Sequence, residues 1–334
     1  MSGTVVTAPG KAVLCGEYAV LAGAPAICMA IDRRASVRVE DAAGHHGCVT
    51  TRGYGDGTWR FEVGANGKLE WLDPLPDGGL PIVEAAWRQS RADAAAAITI
   101  DTGHFRDRDS GQKLGLGSSA AACTALLAAL TCHRGNALPD TSEFVDLHRE
   151  VQGRRGSGVD VAAAVHGGLL AFRMADAETV PLVWPTGLEY RYLWSGKSAD
   201  TVARLKRFDH RNAHGVTLRA LIEAAEAVAH EWATASLADV LKLLAEYGRV
   251  LRRFGIDHGL GIFDAGHDLV ADHAQDAGMV YKPCGAGGGD IGIVLGVDAG
   301  AIDAFCSQMM KFEFSKLDLC LDRCGIKVST GGNR

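Results

Sequence analysis

The chain has 334 residues, of which 47% are apolar and 22% are charged; these are ordinary values for a globular protein, and the length predicts two domains. The formal net charge of −6, without a cluster of Lys and Arg, argues against a basic surface, so we expect no nucleic-acid partner. The sequence shows neither a signal peptide nor an uninterrupted apolar run of membrane-spanning length, which predicts a cytoplasmic protein with no membrane partner.

Two short apolar segments open the chain. Val5–Ala8 and Ala12–Cys15 have the pattern of β-strands, and Pro9–Gly10 between them is typical of a turn. Such a turn places Lys11 and Glu17 near its ends, where both side chains can face a cleft. A lysine after Pro-Gly is also a common solvated turn residue, and that simpler interpretation stays open at this point.

The next hundred residues suggest structure more than chemistry. A strand is predicted to reach Ser36–Glu40, and residues 41–80 have the turn-rich composition of an edge hairpin. Leu80–Ala97 is predicted to form a helix with a proline in its first turn, followed by a short strand at Ala97–Asp101.

The segment Lys113–Thr131 holds a loop, Gly-Leu-Gly, that runs through two serines into an alanine-rich helix. Glycine lets a backbone approach a ligand where a Cβ would obstruct it. Ser118 or Ser119 can cap the helix, whose first free N–H groups then favour an anion. Taken alone, the segment is compatible with a phosphate-binding loop and with an ordinary capped core helix.

A second glycine-rich loop follows a helix predicted over Thr141–Gln152. The sequence VQGRRGSGVD places three glycines and two arginines ahead of Asp160, which lies at the start of an Ala/Val-rich helix. An aspartate there commonly complements the helix dipole, but these neighbours favour a functional site. His166, near the end of the same helix, is interpreted as a dipole partner and not as a catalyst.

The segment PLVWPTG at 181–187 marks the predicted boundary between domains at 1–185 and 186–334. Strands are predicted beyond it at Tyr190–Trp194, Val280–Lys282, Ile291–Leu295 and Gly325–Val328. Helices are predicted near 199–208, 215–234, 237–254, 260–277 and 299–311. This mixture of elements predicts an α+β fold.

A third loop, GAGGGD, joins two of these strands. Four of the five residues 285–289 are glycine, and a plain hairpin turn does not require that loss of backbone entropy. Close approach of the loop to a ligand is therefore the better explanation.

Standard nucleotide-binding signatures do not fit, because the chain has no G-x-x-x-x-G-K-[ST], no G-x-G-x-x-G after a first strand and no kinase H-R-D with D-F-G. It carries instead three motifs in order: PGK-x4-GEYAV at Pro9–Val20, GLGSSAA at Gly115–Ala121 and GAGGGD at Gly285–Asp290. Together they resemble the GHMP small-molecule kinases, which include the galactose, homoserine, mevalonate and phosphomevalonate kinases.

The resemblance implies an N-terminal α+β domain with a left-handed crossover, a ferredoxin-like C-terminal domain and an active site between them. It implies ATP and Mg²⁺ as cofactors and a small molecule as partner, in a monomer or homodimer. Three segments are most similar to the phosphomevalonate kinase branch: Gly16–Leu21, Val151–Ala163 and Lys282–Leu295. A fourth segment, Ser195–Val202, matches that branch more loosely. The implied reaction is the phosphorylation of 5-phosphomevalonate by ATP, with mevalonate kinase and a non-catalytic metabolite-binding homologue as alternatives.

The resemblance also implies a role for each site residue. Lys11 would neutralise charge on the transferring phosphoryl group, and Asp160 would be the acidic catalytic residue facing the acceptor. The ATP phosphates would be bound by Gly115, Leu116, Gly117, Ser118, Ser119 and Ala120, with Ser119 as a Mg²⁺ ligand. The acceptor would be bound by Glu17, Tyr18, Arg154, Arg155, Ser157, Gly158, Ser195, Lys197, Gly285, Ala286, Gly287 and Gly288.

One departure from the family concerns the metal. Mevalonate kinases carry a Mg²⁺-binding glutamate upstream of the catalytic aspartate, in a region that here reads His148-Arg149-Glu150, with Glu150 near but out of register. A phosphate acceptor, whose second pKa is about 6, is mostly dianionic at neutral pH and needs positive charge more than a base. Arg154 and Arg155, with Lys197, suit that need, although exposed arginines are often simply solvated.

Overall fold

Two β-sheets, each with helices packed against it, organise the chain. The computed structural model describes residues 3–153, 156–199, 204, 207–208 and 215–331. Arg154, Arg155 and most of the helix predicted at 199–208 lie outside these residues. The predicted α+β class is confirmed, because strands and helices are mixed along the chain and form two sheets.

The strands define a large sheet and a small one. In chain order they are β1 (Gly3–Cys15), β2 (Ala26–Asp41), β3 (Gly47–Arg52), β4 (Gly57–Val63), β5 (Leu69–Trp71), β6 (Ala96–Asp101), β7 (Leu169–Phe172), β8 (Thr179–Leu182), β9 (Glu189–Trp194), β10 (Val280–Pro283), β11 (Ile291–Gly296), β12 (Ser315–Leu317) and β13 (Lys327–Thr330). The large sheet runs β13-β1-β2-β6-β3-β4-β5, with β7 paired to β2 and β8 to β7. The small sheet is antiparallel and runs β10-β11-β9-β12.

The helices cover the two sheets in chain order. They are α1 (Pro81–Ser90), α2 (Ser118–His133), α3 (Thr141–Val151), α4 (Val159–His166), α5 (Val216–Glu231), α6 (Leu237–Asp257), α7 (His267–Asp276) and α8 (Ala299–Met309). Helices α2 and α4 pack on β1 and β2, whereas α7 and α8 pack on the small sheet and α5 pairs with α6. Helix α2 is buried from Ala120 to Thr131, which its alanine-rich composition allows.

The predicted turn at Pro9–Gly10 was wrong, because β1 is one continuous strand paired with β2. The register shifts between Pro9 and Gly10, and such an irregularity accommodates a residue that has no N–H to donate. A Cβ on Gly10 would lie 2.5 Å from the carbonyl oxygen of Leu116, so glycine is required for the loop before α2 to pack there. The Lys11 N–H donates to that same carbonyl at 2.9 Å.

Several predicted helix bounds differ from the structure for local reasons. The helix predicted over Leu80–Ala97 ends at Ser90, where Arg91 takes the left-handed conformation with φ of 53°. The helix predicted at 260–277 begins only at His267, since Ala265 and Gly266 have φ of 58° and 85°. Helix α3 begins at Thr141, as predicted, after a capping box between Asp140 and Glu143, and it ends at Val151, one residue before the predicted end.

The last strand, β13, returns to the large sheet and pairs with β1. The C-terminal residues of the chain therefore contribute to both sheets, and the division at residue 185 stays a prediction. None of the helices in the described part of the chain is both long and apolar enough to cross a membrane.

Candidate active site

A cleft of about 730 Å³ is lined by residues from both sheets and their helices, a volume within the usual range for small-molecule sites. It brings together most of the predicted site residues: Lys11, Glu17, Tyr18, Gly115, Leu116, Gly117, Ser118, Ser119, Ser157, Gly158, Asp160, Gly285 and Ala286. The predicted residues Ala120, Ser195, Lys197, Gly287 and Gly288 do not line it, and Arg154 and Arg155 lie outside the described residues.

Lys11 and Asp160 form an ion pair in the cleft. Lys11 Nζ lies 3.7 Å from Asp160 Oδ1, and the two side chains are 10% and 31% exposed. Asp160 is in the first turn of α4, which begins after Gly158 in a left-handed conformation. Burial by itself lowers the pKa of Lys11, but the negative charge of Asp160, with smaller contributions from other neighbours, outweighs it and raises the pKa. Lys11 therefore stays positively charged in the cleft at neutral pH.

The loop before α2 has the geometry of an anion site. Gly115 and Gly117 have φ of 77° and 79°, values that L side chains rarely adopt. Gly117 is the N-cap residue of α2, and no side chain caps the helix. The predicted caps Ser118 and Ser119 are instead the first two helical residues. The first N–H groups of α2 thus remain available to an anion beside Lys11.

Asp290 connects this loop to the small sheet. A Cβ on Gly115 would lie 2.2 Å from Asp290 Cγ, so the carboxyl group packs directly on the glycine. The Ala199 N–H donates to Asp290 Oδ1 at 2.9 Å, and the Asp290 N–H donates to the Lys197 carbonyl at 2.7 Å. Burial raises the pKa of Asp290. Sequence reasoning placed Asp290 in the third motif but gave it no role.

Glu17 lines the cleft, but its carboxylate is held by internal partners. The buried Lys282 ammonium donates to Oε1, and the Tyr247 hydroxyl donates to Oε2 at 2.8 Å. The Gly285 N–H also approaches Oε1, at 3.4 Å. The Tyr18 hydroxyl donates to the Ala286 carbonyl at 2.8 Å. In this structure, Glu17 and Tyr18 hold the start of the GAGGGD loop.

The middle of the GAGGGD loop, Gly287–Gly289, does not line the cleft. The Gly288 N–H donates to the Ile262 carbonyl at 2.7 Å. Arg204 Nη2 donates to the Gly288 carbonyl at 3.2 Å. His267 Nε2 lies 3.0 Å from the Gly289 carbonyl, which can only accept, so this nitrogen is the donor. These contacts fix the loop in a single path.

The remaining predicted acceptor residues are distributed unevenly. Ser195 is buried, and its hydroxyl lies 3.2 Å from the Lys197 carbonyl. The next residues along the chain, Ser198 and Ala199, line the cleft. The backbone around Ser157 is held by the Arg149 guanidinium, which donates to the Ser157 carbonyl at 2.8 Å.

Several lining residues were not among the predicted site residues, and Lys113 and His148 are two of them. Lys113 lies just before the glycine loop and adds a second cation to the cleft wall, which its sequence position next to that loop could have indicated. His148 reaches the cleft from the buried face of α3. Its only sequence signal is that it lies on the same helical face as Phe144 and Val145, and that signal equally fits a core residue.

The donors present fit a metal held mainly by a bound nucleotide. The described residues contain no group of three or more His, Cys, Asp or Glu placed to hold a metal ion. Ser119 and Asp160 both line the cleft, whereas Glu150 is exposed and pairs with Arg88. Mg²⁺ commonly takes only one or two protein oxygens and completes its shell with phosphates and water. Ser119 and Asp160 are sufficient for that mode.

Comparisons with known proteins find relatives of this chain. The family of GHMP kinases N terminal domains matches residues 83–168. The phosphomevalonate kinase of Streptomyces sp. (strain CL190) is 31% identical over 335 residues, covering 86% of this chain and 88% of that protein. The mevalonate kinase of Methanothermobacter thermautotrophicus (strain ATCC 29096 / DSM 1053 / JCM 10044 / NBRC 100330 / Delta H) is 27% identical, covering 92% and 97%.

A solved structure matches over nearly the whole chain. Streptococcus pneumoniae phosphomevalonate kinase, in complex with phosphomevalonate and AMPPNP, superposes with a TM-score of 0.77 at 18% identity, covering 95% of this chain and 99% of that one. The chain therefore belongs to the GHMP kinases, a superfamily of ATP-dependent small-molecule kinases, and within it to the group of mevalonate-pathway kinases. Members of the superfamily use ATP, typically with Mg²⁺.

Proposed function

We propose that this GHMP kinase is a phosphomevalonate kinase, which transfers the γ-phosphoryl group of ATP to 5-phosphomevalonate and releases 5-diphosphomevalonate and ADP. The observation that carries the proposal is the Lys11–Asp160 pair, placed beside the free N-terminus of α2 in one cleft. The similarity to the Streptomyces phosphomevalonate kinase supports the choice of acceptor.

The chain's own residues provide for phosphate binding at one end of the cleft. The first N–H groups of α2 and the loop Gly115–Ser119 bind the phosphates of ATP, and the helix dipole favours their negative charge. Lys113 and Lys11 add positive charge at the wall. When bound, Mg²⁺ supplies further neutralisation of the β- and γ-phosphate oxygens, with Ser119 and Asp160 as its protein ligands.

The acceptor requires charge compensation more than deprotonation. An oxygen of the acceptor phosphate bonds to the γ-phosphorus as the bond to the bridging oxygen breaks, and that oxygen leaves with ADP. Because a phosphate monoester with a pKa of about 6 is already mostly dianionic at neutral pH, no base is needed to generate the nucleophile. Lys11 lowers the repulsion between the two anions, and Asp160 orients Lys11. Arg154, Arg155 and Lys197 are proposed to contribute on the acceptor side.

Mevalonate kinase is the second candidate, and a specific observation favours it. Asp160 is half-buried and 3.7 Å from Lys11, a position from which a carboxylate can accept the proton of an alcohol acceptor. The similarity to the Methanothermobacter mevalonate kinase spans 92% of this chain.

A substrate panel tests the proposal. The purified chain is assayed for ADP release with ATP, Mg²⁺ and, in separate reactions, 5-phosphomevalonate, mevalonate, homoserine and galactose. We expect turnover with 5-phosphomevalonate at a kcat/KM at least a hundredfold above any other acceptor. Preference for mevalonate would replace the proposal with the second candidate, and no turnover with any acceptor would favour a binding protein.

A further inference from the structure

His148 has an unusual position among the buried polar groups. Three buried side-chain atoms have no hydrogen-bond partner within the described residues: Thr124 Oγ1, His148 Nε2 and Trp194 Nε1. Of these three residues, His148 alone lines the cleft. Its side chain is on α3, and the residue is only 3% exposed. A buried polar atom without a partner destabilises the fold, so its presence calls for an explanation.

Another buried histidine shows how this chain treats an imidazole that has only a structural role. His267 Nδ1 lies 2.6 Å from the Tyr281 hydroxyl, and Nε2 lies 3.0 Å from the Gly289 carbonyl. Both ring nitrogens of His267 are therefore satisfied within the protein. His148 differs in that its Nε2 is closed to solvent and is left for a partner that the described residues do not supply.

The surroundings of His148 indicate which ligand supplies that partner. It lines the cleft together with Gln152, Ser157 and Asp160, the residues near which the acceptor is proposed to bind, and the charge of Asp160 acts on its ring. Burial lowers the pKa of His148, and the negative charge of Asp160 only partly opposes this. The ring is therefore neutral near pH 7, with one nitrogen donating and the other accepting.

We propose that His148 is a contact residue for the acceptor, and that binding of the acceptor uncovers its unpartnered ring nitrogen, which then donates a hydrogen bond to an acceptor oxygen in the cleft. This inference rests on the proposed kinase function and adds a specificity element to it. An uncharged, buried donor discriminates by hydrogen bonding, because an acceptor without an oxygen at that point leaves the nitrogen unsatisfied.

Two variants separate a contact role from a packing role. His148→Phe keeps a ring of similar size and removes both nitrogens, whereas His148→Gln keeps an N–H donor at a comparable distance from the backbone. Without ligand, we expect His148→Phe to unfold at the wild-type temperature or about 2–4 °C above it, because an unsatisfied atom is removed. Its KM for 5-phosphomevalonate should rise about 10–100-fold with an unchanged KM for ATP, as expected for the loss of a hydrogen bond to a charged group. His148→Gln should recover most of that loss.

Thr124→Val provides the matched control, since it removes another of the unpartnered atoms at a residue that does not line the cleft. It should raise the unfolding temperature without changing either KM. The inference is overturned if His148→Phe leaves the acceptor KM unchanged, if it raises both KM values while lowering the unfolding temperature, or if His148→Gln fails to rescue.

The wild-type substrate panel separates this inference from the proposed function. Turnover of 5-phosphomevalonate with identical KM values in all three proteins would refute the inference and leave the function standing. Preference of the wild type for mevalonate would refute the function. The same comparison of His148→Phe with His148→Gln would then be made on the KM for mevalonate, where a rise and rescue still support the contact and their absence refutes it.

Discussion

Lys282 and Glu17 form an ion pair that solvent does not reach, with side chains 0% and 2% exposed. The same ammonium donates to the Val13 carbonyl at 3.2 Å, and the same carboxylate accepts from Tyr247. The pair therefore joins β10 of the small sheet to the end of β1 in the large sheet. Because only Cys284 separates β10 from Gly285 and Ala286, the ion pair positions the part of the GAGGGD loop that lines the cleft.

Replacing one partner of this pair should strongly destabilise the protein. Lys282→Met leaves the Glu17 carboxylate buried without a countercharge, which lowers the free energy of unfolding by about 3–5 kcal/mol. Urea unfolding followed by circular dichroism measures the change. The double variant Glu17→Gln, Lys282→Met should recover part of it, because it leaves no buried charge.

The control for this prediction is an exposed ion pair in α6. Arg249 and Glu246 are 70% and 51% exposed, so Arg249→Ala should leave the urea midpoint close to that of the wild type. Equal midpoints for Lys282→Met and Arg249→Ala would show that the buried pair has no special role.

Asp290 offers a test of how the nucleotide loop is supported. Its φ of 58° is tolerated best by glycine and asparagine, so Asp290→Gly and Asp290→Asn leave the backbone unstrained. The glycine variant loses both the contact with Gly115 and the acceptor for the Ala199 N–H, and we expect its KM for ATP to rise about tenfold, equivalent to about 1.4 kcal/mol. The asparagine variant keeps the acceptor and should be affected less. Steady-state kinetics at saturating acceptor measure the difference, and equal KM values in both variants would contradict the proposed support.

The sequence predicted the local features of the site but not its long-range contacts. The Gly115–Ser119 loop and the position of Asp160 at a helix start follow from short-range rules on glycine and helix termini, and the structure brings both into the cleft. The pairing of Lys282 with Glu17 spans 265 residues, and no periodicity in a single sequence indicates such a contact. The Pro9–Gly10 turn was wrong because pairing with β2 continues through the irregularity. His148 was missed because a histidine on an apolar helix face resembles a core residue.

Asp160→Asn should lower kcat by about 10²–10³-fold, because it removes the carboxylate that orients Lys11, and it should weaken ATP binding less, because the glycine loop and the N-terminus of α2 are unchanged. Calorimetric titration with ATP and the ADP-release assay measure the two effects.

Asp160 is also the leading cause that raises the pKa of Lys11, so in Asp160→Asn that pKa falls. The alkaline limb of any residual activity should then move to lower pH. Glu150→Gln, at an exposed residue paired with Arg88, is the control and should retain full activity; a comparable loss there would place the metal ligand at Glu150 instead.

The stability of the chain should fall as the pH drops from about 6.5 to 4, and His267 is a defined cause. Burial lowers the pKa of His267 to about 4, with Arg204 and Lys282 acting in the same direction and Asp268 and the Gly289 carbonyl opposing them. In the unfolded chain this histidine has an ordinary pKa of about 6.5, so the unfolded state binds the proton first as the pH falls. The folded state therefore loses stability between about pH 6.5 and pH 4, and His267 causes no further loss below pH 4. A difference of about 2.5 pKa units corresponds to about 3 kcal/mol. Protonation also removes the acceptor for the Tyr281 hydroxyl, since Nε2 already donates to Gly289. Urea midpoints at pH 7.5 and pH 5 should therefore differ more in the wild type than in His267→Gln, which does not titrate; equal differences would exclude His267 as the source.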